Sequence, residues 1–166
     1  DGGYLDDRGV PLAVTVDGLT RSTLKAPSDG SAYYYSNAGF AAVGRSVERM
    51  AGAAYAEQLQ ARILGPLGLD DTAITLTRER RARLAPAAMW TADGGEHAAP
   101  LFDLGSAPAG NIAAPLADGS RWGQALLRGG DGIIGGEALK AMWVAVGPNP
   151  ARGYGLGFQI DVLDGF

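Results

Sequence analysis

The sequence predicts a mostly α-helical fold with a minor β edge, and three observations lead to this prediction. Apolar residues recur at helical spacing in several segments, most clearly at Phe40, Val43, Val47 and Met50. Only the segment 154–162 alternates in the way that is typical of a strand. The composition, with 46% hydrophobic and 19% charged residues in a chain of 166, is that of a globular domain rather than a disordered chain.

The clearest predicted helix contains this apolar repeat. Ser36 or Asn37 is expected to be its N-cap, because either side-chain oxygen can accept a hydrogen bond from the first turn. Gly52 is expected to end it. A second helix is predicted from about Ala54 to Leu64, and Pro66 in the following Gly-Pro-Leu-Gly segment cannot continue it.

The remaining segments predict shorter or less regular structure, judged from helical spacing, capping residues and the positions of Gly and Pro. In chain order, we expect a loop with one short helix or strand over 1–32, including a turn at 26–30; a helix over 78–84 capped by Thr77; a long irregular stretch over 85–112; a helix over 115–127; a helix over 137–146 that ends at Gly147-Pro148; and a strand over 154–162.

Several functional classes are excluded or disfavoured by composition. The net charge is −4, and the densest basic stretch, 78–83, contains Glu79 and is typical of a solvated helix face, so nucleic-acid binding is not predicted. No apolar run approaches the ~20 residues that span a bilayer. Cys is absent, which excludes disulfides, thiolate nucleophiles and Cys-ligated metals.

Isolated residues that could carry chemistry have simpler interpretations. His97 lies in a polar segment that we predict to be a loop, and as a ligand or base it would need partners from elsewhere. We predict no metal and no cofactor. Trp122 and Trp143 are expected in the core, whereas Trp90 could line a pocket. The glycines of 154–158 lack the Lys and the helix that a phosphate-binding loop requires.

Four segments, in order, resemble one enzyme superfamily. They are Tyr35-Ser36-Asn37 at the start of a helix, the Gly-Pro-Leu-Gly turn with its flanks at 63–72, Pro108-Ala109-Gly110 ahead of a helix, and Gly153 to Phe158 at the start of a strand. Together they resemble the serine β-lactamase and penicillin-binding-protein superfamily, closest to its class C and esterase-like branch. The resemblance extends from about Leu24 to Val162.

This resemblance implies a metal-free serine hydrolase that acts through an acyl-enzyme on a β-lactam, a D-Ala-D-Ala peptide or a small ester. Members use three motifs around one cleft: Ser-x-x-Lys, Tyr-x-Asn, and Lys-Thr-Gly or a His-containing equivalent. We expect the first and third to lie outside 1–166, which makes the chain a partial domain and an interior segment, inactive alone. The sequence begins with Asp1 and ends just past a predicted strand, in keeping with this expectation. The family's exported habit suggests the periplasm or cell surface.

Within the chain, the resemblance assigns Tyr35 as the catalytic residue and Asn37 as the substrate-binding residue. A tyrosine hydroxyl is a poor base unaided, but nearby ammonium groups favour its phenolate form, which can move a proton between serine and leaving group. The Asn37 carboxamide has a donor and an acceptor for a substrate amide or ester. Ser22-Thr23-Leu24-Lys25 also fits Ser-x-x-Lys, but its polar, turn-rich surroundings do not predict the helix that the motif needs.

Two alternatives remain open. In the structural one, Tyr33, Tyr34 and Tyr35 form a buried aromatic stretch and Asn37 only caps a helix. In the functional one, the chain is a non-catalytic β-lactamase-like module that binds a small-molecule or peptide ligand or a partner. Three departures from the family pattern are each tolerable alone and together allow a divergent member: Asn111 in place of a Gly, Ala114 in place of a frequent Ser, and Gly119 in place of an apolar residue.

Overall fold

A computed structural model describes residues 10–23, 34–101, 104–146 and 153–162. It is mostly helical with small sheets, as the sequence predicts. Residue contacts divide the chain into two compact units. The first comprises Asp1–Thr20, Ser36–Gln58 and Thr72–Ala114, and the second comprises Arg21–Tyr35, Leu59–Asp71 and Pro115–Phe166. A single partial domain over residues 1–166 stays a prediction.

Among the described residues, the first unit contains α-helices, a 3₁₀ turn and a β-hairpin. Its elements are α1 (Leu12–Gly18), α2 (Asn37–Ala51), the greater part of α3 (Tyr55–Leu59), α4 (Arg78–Ala82), strands β1 (Ala88–Trp90) and β2 (Glu96–Ala98), and a 3₁₀ turn (Ala107–Ala109).

Both predicted ends of α2 are confirmed. The Ser36 hydroxyl accepts a hydrogen bond from the Gly39 amide at 3.0 Å, so Ser36 rather than Asn37 is the N-cap. Gly52 ends the helix with a φ of 67°, a left-handed conformation that favours glycine. The Gly52 amide donates to the carbonyl of Glu48 at 2.9 Å, which satisfies a group of the last turn.

The face that α2 buries differs from the one that its apolar spacing suggests. Phe40, Val43 and Met50 are exposed by 41, 62 and 81%, whereas Ala41 and Gly44 are buried. The spacing identifies an amphipathic helix, but it does not say which neighbour approaches or how closely. Here the small residues are buried because they allow a close approach of other backbone segments.

That close approach involves α1 and the 3₁₀ turn. The backbone of α2 at Gly44 lies directly against the ring of Pro108, and the Leu12 side chain lies beside them. The buried Thr15 hydroxyl donates to the carbonyl of Gly105 at 2.6 Å, which ties α1 to the loop before the turn. A short antiparallel bridge between Ala73 and Ala113 closes the same unit.

The prediction of irregular structure over 85–112 is wrong in part, because β1 and β2 form an antiparallel hairpin there. Every residue of both strands is exposed, so neither strand has a buried face. The alternation of apolar and polar residues that marks a half-buried strand is therefore not needed in these two segments. The turn residues Asp93-Gly94-Gly95 are, however, a recognised hairpin signal.

The predicted cap Thr77 is confirmed, since its hydroxyl accepts from the Arg80 amide at 3.2 Å, although α4 ends at Ala82 rather than Leu84.

The second unit contains the last turn of the predicted second helix, two further helices and a second hairpin. Its elements are the π-helical turn Gln60–Leu64, α5 (Leu116–Leu127), α6 (Gly136–Met142) and strands β3 (Gly153–Tyr154) and β4 (Gln159–Ile160). The helix predicted over 54–64 is therefore confirmed in extent, with its second half wound as a π-turn. The helix predicted from 137 ends at Met142 instead of Val146, and the expected stop at Gly147-Pro148 lies outside the described residues.

The strand predicted over 154–162 folds back on itself as the hairpin β3–β4. Tyr154 pairs with Gln159, and Gly157 in the turn has a φ of 83°. Val146 bridges to Tyr154 on the other side of β3.

The expectation that Trp122 and Trp143 lie in the core is also wrong. Trp122 is half-buried, and Trp143 is 38% exposed, with its ring edge-on to Phe158.

Asp118 is a buried carboxylate, 3% exposed, that joins α5 to the preceding loop of the same unit. One carboxylate oxygen accepts the Asp71 amide at 3.1 Å, and the other accepts Arg121 at 2.9 Å. Arg121 also donates to the carbonyl of Gly68 at 3.4 Å. A buried charge is tolerated only when it is paired and hydrogen-bonded in this way, so Asp118 fixes the 68–71 loop.

Replacing Asp118 by alanine is expected to lower the free energy of unfolding by about 1–3 kcal/mol, because it removes the acceptor of the hydrogen bonds from the Asp71 amide and the Arg121 guanidinium. Denaturant unfolding at pH 7 measures this. The control is Asp131→Asn: Asp131 pairs with Arg128 on the surface, where solvent screens the pair, and little change is expected. Equal stability of the Asp118 variant and the parent chain would refute the anchoring role.

Candidate functional site

Tyr35 belongs to the second unit and lies in a segment without regular secondary structure, directly before the Ser36 cap. Its side chain is 65% exposed, and that of Tyr34 is 61% exposed. The alternative of a buried aromatic stretch is therefore wrong for these two residues, and Tyr33 lies outside the described residues. The phenol of Tyr35 makes no hydrogen bond to another described residue, so it is open to solvent and to a ligand.

Asn37 belongs to the first unit and is the first residue of α2, where its side chain is half-buried. Because the Ser36 hydroxyl accepts the Gly39 amide, the Asn37 carboxamide is not used as the cap. That carboxamide makes no hydrogen bond to another residue of the described part of the chain. The alternative in which Asn37 only caps the helix is therefore wrong.

The boundary between the two units falls between Tyr35 and Ser36, so the two predicted site residues belong to different units. They lie two positions apart in the chain, each immediately beside a capped helix start. A capped helix is a rigid support for neighbouring side chains. The chemistry available at these positions is one weak acid, the phenol, and one donor–acceptor pair, the carboxamide.

Asn111 has a structural task that sequence reasoning did not anticipate. Its side-chain oxygen accepts the Leu104 amide at 3.0 Å, and its side-chain nitrogen donates to the Leu104 carbonyl at 3.3 Å. This pair of hydrogen bonds closes the loop that carries Pro108. Asn111, which departs from the pattern of the superfamily that the sequence resembles, therefore holds this loop through its side chain.

Ser22 lies just after the 3₁₀ turn Leu19–Arg21, is exposed, and is not part of a helix. Lys25 lies outside the described residues. A serine activated by a lysine three positions later needs both on one helical turn, and Ser22 itself is not helical. The expectation that Ser22 is not the nucleophile stays a prediction.

His97 and Trp90 lie on the hairpin β1–β2, and both are exposed. The prediction of a loop at His97 is therefore wrong: it is the central residue of β2. Within the described ranges, no group of three or more His, Asp or Glu side chains is close enough to hold a metal ion. None of the helices described there has both the length and the hydropathy needed to cross a membrane.

A family model described as Beta-lactamase matches residues 2–165 of the chain. Among solved structures, the penicillin-binding protein from Bacillus halodurans is similar with a TM-score of 0.76 and 22% identity, over 99% of this chain and 50% of that one. FmtA from Staphylococcus aureus is similar with a TM-score of 0.77 and 16% identity, over 96% of this chain and 46% of that one. At these identities the likeness shows the fold alone.

The D-amino acid amidase from Ochrobactrum anthropi SV3, solved with D-phenylalanine, is also similar, with a TM-score of 0.62 and 25% identity. The alignment covers 85% of this chain and 42% of the amidase. The chain therefore spans about half or less of the length of these three structures. A search among curated proteins found no match.

Proposed function

The chain belongs to the beta-lactamase family, and from this premise we propose that it is part of a serine hydrolase that acts through an acyl-enzyme. Tyr35 is the proton-transfer residue and Asn37 is the substrate-binding residue. The observation that supports this best is the use of Ser36 as the helix cap, which leaves the Asn37 carboxamide available while Tyr35 is 65% exposed.

The acylation half of the proposed reaction has two proton transfers. Tyr35, as phenolate, takes the proton from the serine hydroxyl while the serine oxygen attacks the substrate carbonyl carbon. The same proton then passes from Tyr35 to the leaving nitrogen or oxygen, and the acyl-enzyme forms as the carbonyl–leaving-group bond breaks. Asn37 holds the substrate by its amide or ester groups. In the second half of the cycle, water attacks the acyl carbon, the bond to the serine oxygen breaks, and the water proton returns to that oxygen as the acid is released.

The nucleophile of this mechanism is a serine in a Ser-x-x-Lys motif of the complete protein. Ser22-x-x-Lys25 is the one match within the 166 residues, and no Lys-Thr-Gly is present among them. We therefore expect these residues alone to be inactive. The proposed substrates are a β-lactam, a D-Ala-D-Ala peptide or a small ester. The likeness to a D-amino acid amidase adds D-amino acid amides to the compounds worth testing.

Incubation with a fluorescent penicillin tests this proposal. The complete protein is expected to become covalently labelled at the serine of a Ser-x-x-Lys motif, and replacing that serine by alanine should abolish the label. The 166-residue chain should remain unlabelled. Labelling of this chain that disappears in Ser22→Ala would show that the nucleophile has been misassigned.

The same experiment separates the enzyme from the non-catalytic alternative. A complete, folded protein that neither takes up the label nor hydrolyses D-phenylalanine amide or a chromogenic ester would favour a ligand-binding module. In that case reversible binding of the unreacted penicillin, measured by calorimetry, is the expected residual property. Turnover of any of these compounds that requires the motif serine supports the hydrolase.

A further inference from the structure

The hairpin β1–β2 places an aromatic ring and a carboxylate next to each other. Trp90 and Glu96 are direct cross-strand partners in its antiparallel register. The pairs just beyond the two ends of the strands are hydrogen-bonded. The Thr91 amide donates to the Gly95 carbonyl at 2.9 Å, and the Ala99 amide donates to the Ala87 carbonyl at 2.8 Å. Hydrogen-bonded and non-hydrogen-bonded pairs alternate along an antiparallel ladder, so Trp90 and Glu96 form a non-hydrogen-bonded pair, the kind in which side chains approach most closely.

Both side chains of this pair are open to solvent. Trp90 is 70% exposed, and Glu96 is exposed on the same face of the hairpin. Neither has an ion pair, a ring contact or a side-chain hydrogen bond with another described residue. The opposite face carries Met89 and His97, which form the next pair. The Trp90–Glu96 pair therefore presents an indole ring and a carboxylate side by side to solvent.

The turn that connects the strands is ordered by its own hydrogen bonds. The Thr91 hydroxyl donates to the Asp93 carboxylate, and the Gly95 amide donates to the same oxygen at 3.3 Å. These two bonds, the one from Thr91 first, hold the pKa of Asp93 below its usual range. Gly94 has a φ of 84°, which the tight turn requires. The turn that joins Trp90 and Glu96 is therefore held by hydrogen bonds of its own residues, and it carries a second carboxylate, that of Asp93.

We propose that Trp90 and Glu96 form a binding site for a primary ammonium group on an aliphatic stem, and that its occupant is a lysine side chain of a peptide or protein partner. Charge complementarity supports this occupant: the carboxylate attracts the ammonium group, and the indole face attracts the same cation while covering its methylene groups. The proposal is independent of the hydrolase assignment, because neither residue takes part in the proposed reaction.

Nuclear magnetic resonance of the ¹⁵N-labelled 166-residue chain tests the site. The probe is Nα-acetyl-lysine methylamide, and the control is Nα-acetyl-norleucine methylamide, which keeps the aliphatic stem and lacks the side-chain ammonium group. The Trp90 indole N–H and the Glu96 amide are expected to shift saturably with the lysine probe only. Added salt should weaken this binding, because exposed charges are screened. Equal shifts with both probes would mean that the contact is apolar only, and the proposal would be wrong.

Variants give an independent measurement. Glu96→Gln and Trp90→Ala are each expected to weaken lysine-probe binding by about two- to fivefold, the size typical of an exposed ion pair or cation–π contact. Trp90→Phe should retain part of the affinity, and Met89→Ala, on the opposite face, should retain all of it. Unchanged affinity in Glu96→Gln overturns the site. A third probe, norleucine methylamide, has its only ammonium group at the amino terminus, so it distinguishes binding of an amino terminus from binding of a lysine side chain. Tighter binding of this probe than of the lysine probe would overturn the lysine side chain as occupant.

Discussion

Replacing Tyr35 by phenylalanine in the complete protein is expected to lower the rate of acylation by about 10²- to 10⁴-fold, the contribution typical of a positioned proton-transfer group. The fold should be unaffected, because the ring is 65% exposed and its hydroxyl makes no hydrogen bond to another described residue. Stopped-flow measurement with a chromogenic cephalosporin or ester gives the rate, and thermal unfolding gives the Tm, which should change little.

The neighbouring Tyr34 provides a matched control. It is 61% exposed and has the same side chain, so Tyr34→Phe removes an equivalent hydroxyl one position away. This variant should keep nearly full activity. If both variants lose activity equally, or if Tyr35→Phe loses none, Tyr35 is not the proton-transfer group. Asn37→Ala should instead raise KM, because Asn37 is proposed to hold the substrate.

Replacing Gly44 by alanine is expected to lower the free energy of unfolding by about 1–3 kcal/mol, as is usual when a packed interior is overfilled. The added Cβ would lie 2.2 Å from Cγ and 2.7 Å from Cβ of Pro108, well inside contact distance. The proline ring cannot rotate away, so the 3₁₀ turn must move off α2. Denaturant unfolding of the 166-residue chain measures the change.

Gly119 in α5 is the control, because it shares the helical setting but not the crowding. An added Cβ there meets no heavy atom within 4 Å. Gly119→Ala should therefore stabilise the chain by up to about 1 kcal/mol through helix propensity alone. If Gly44→Ala is also stabilising, the close contact between α2 and Pro108 does not exist in solution.

The helices were the most predictable part of the fold, because their signals are local. Ser36, Gly52 and Thr77 each act on the one turn beside them, and all three take the positions that the sequence indicates. The π-turn Gln60–Leu64 left no such signal, since its composition suits an ordinary helix equally well. Local chemistry therefore fixes where a helix begins and ends better than how its turns are wound.

Features that depend on distant residues were not predictable to the same degree. The strands β1 and β2 are exposed throughout, so they lack apolar alternation, and the two-residue strands β3 and β4 are too short to show a period. The buried face of α2 is set by Pro108, 64 positions after Gly44. Neither spacing nor composition encodes which distant segment will make that contact.

For the candidate site, the sequence supplied the residue types but could not distinguish between Ser36 and Asn37 as the cap. The structure resolves this choice, because a hydrogen bond from Gly39 identifies Ser36. The catalytic roles of Tyr35 and Asn37 stay predictions, since they depend on a nucleophile and a substrate. Those roles follow from the order of four motifs and from family membership rather than from helix spacing.

Because Ser36 makes the capping hydrogen bond, we expect positions 36 and 37 to be under different selective constraints. A defect at position 36 is mechanical, and any stabilising change elsewhere in the molecule can compensate for it. A substitution at position 37 would remove the carboxamide that is proposed to bind the substrate, and no gain in stability can restore that group. Second-site suppressors should therefore be easy to select for the hydroxyl and absent for the carboxamide.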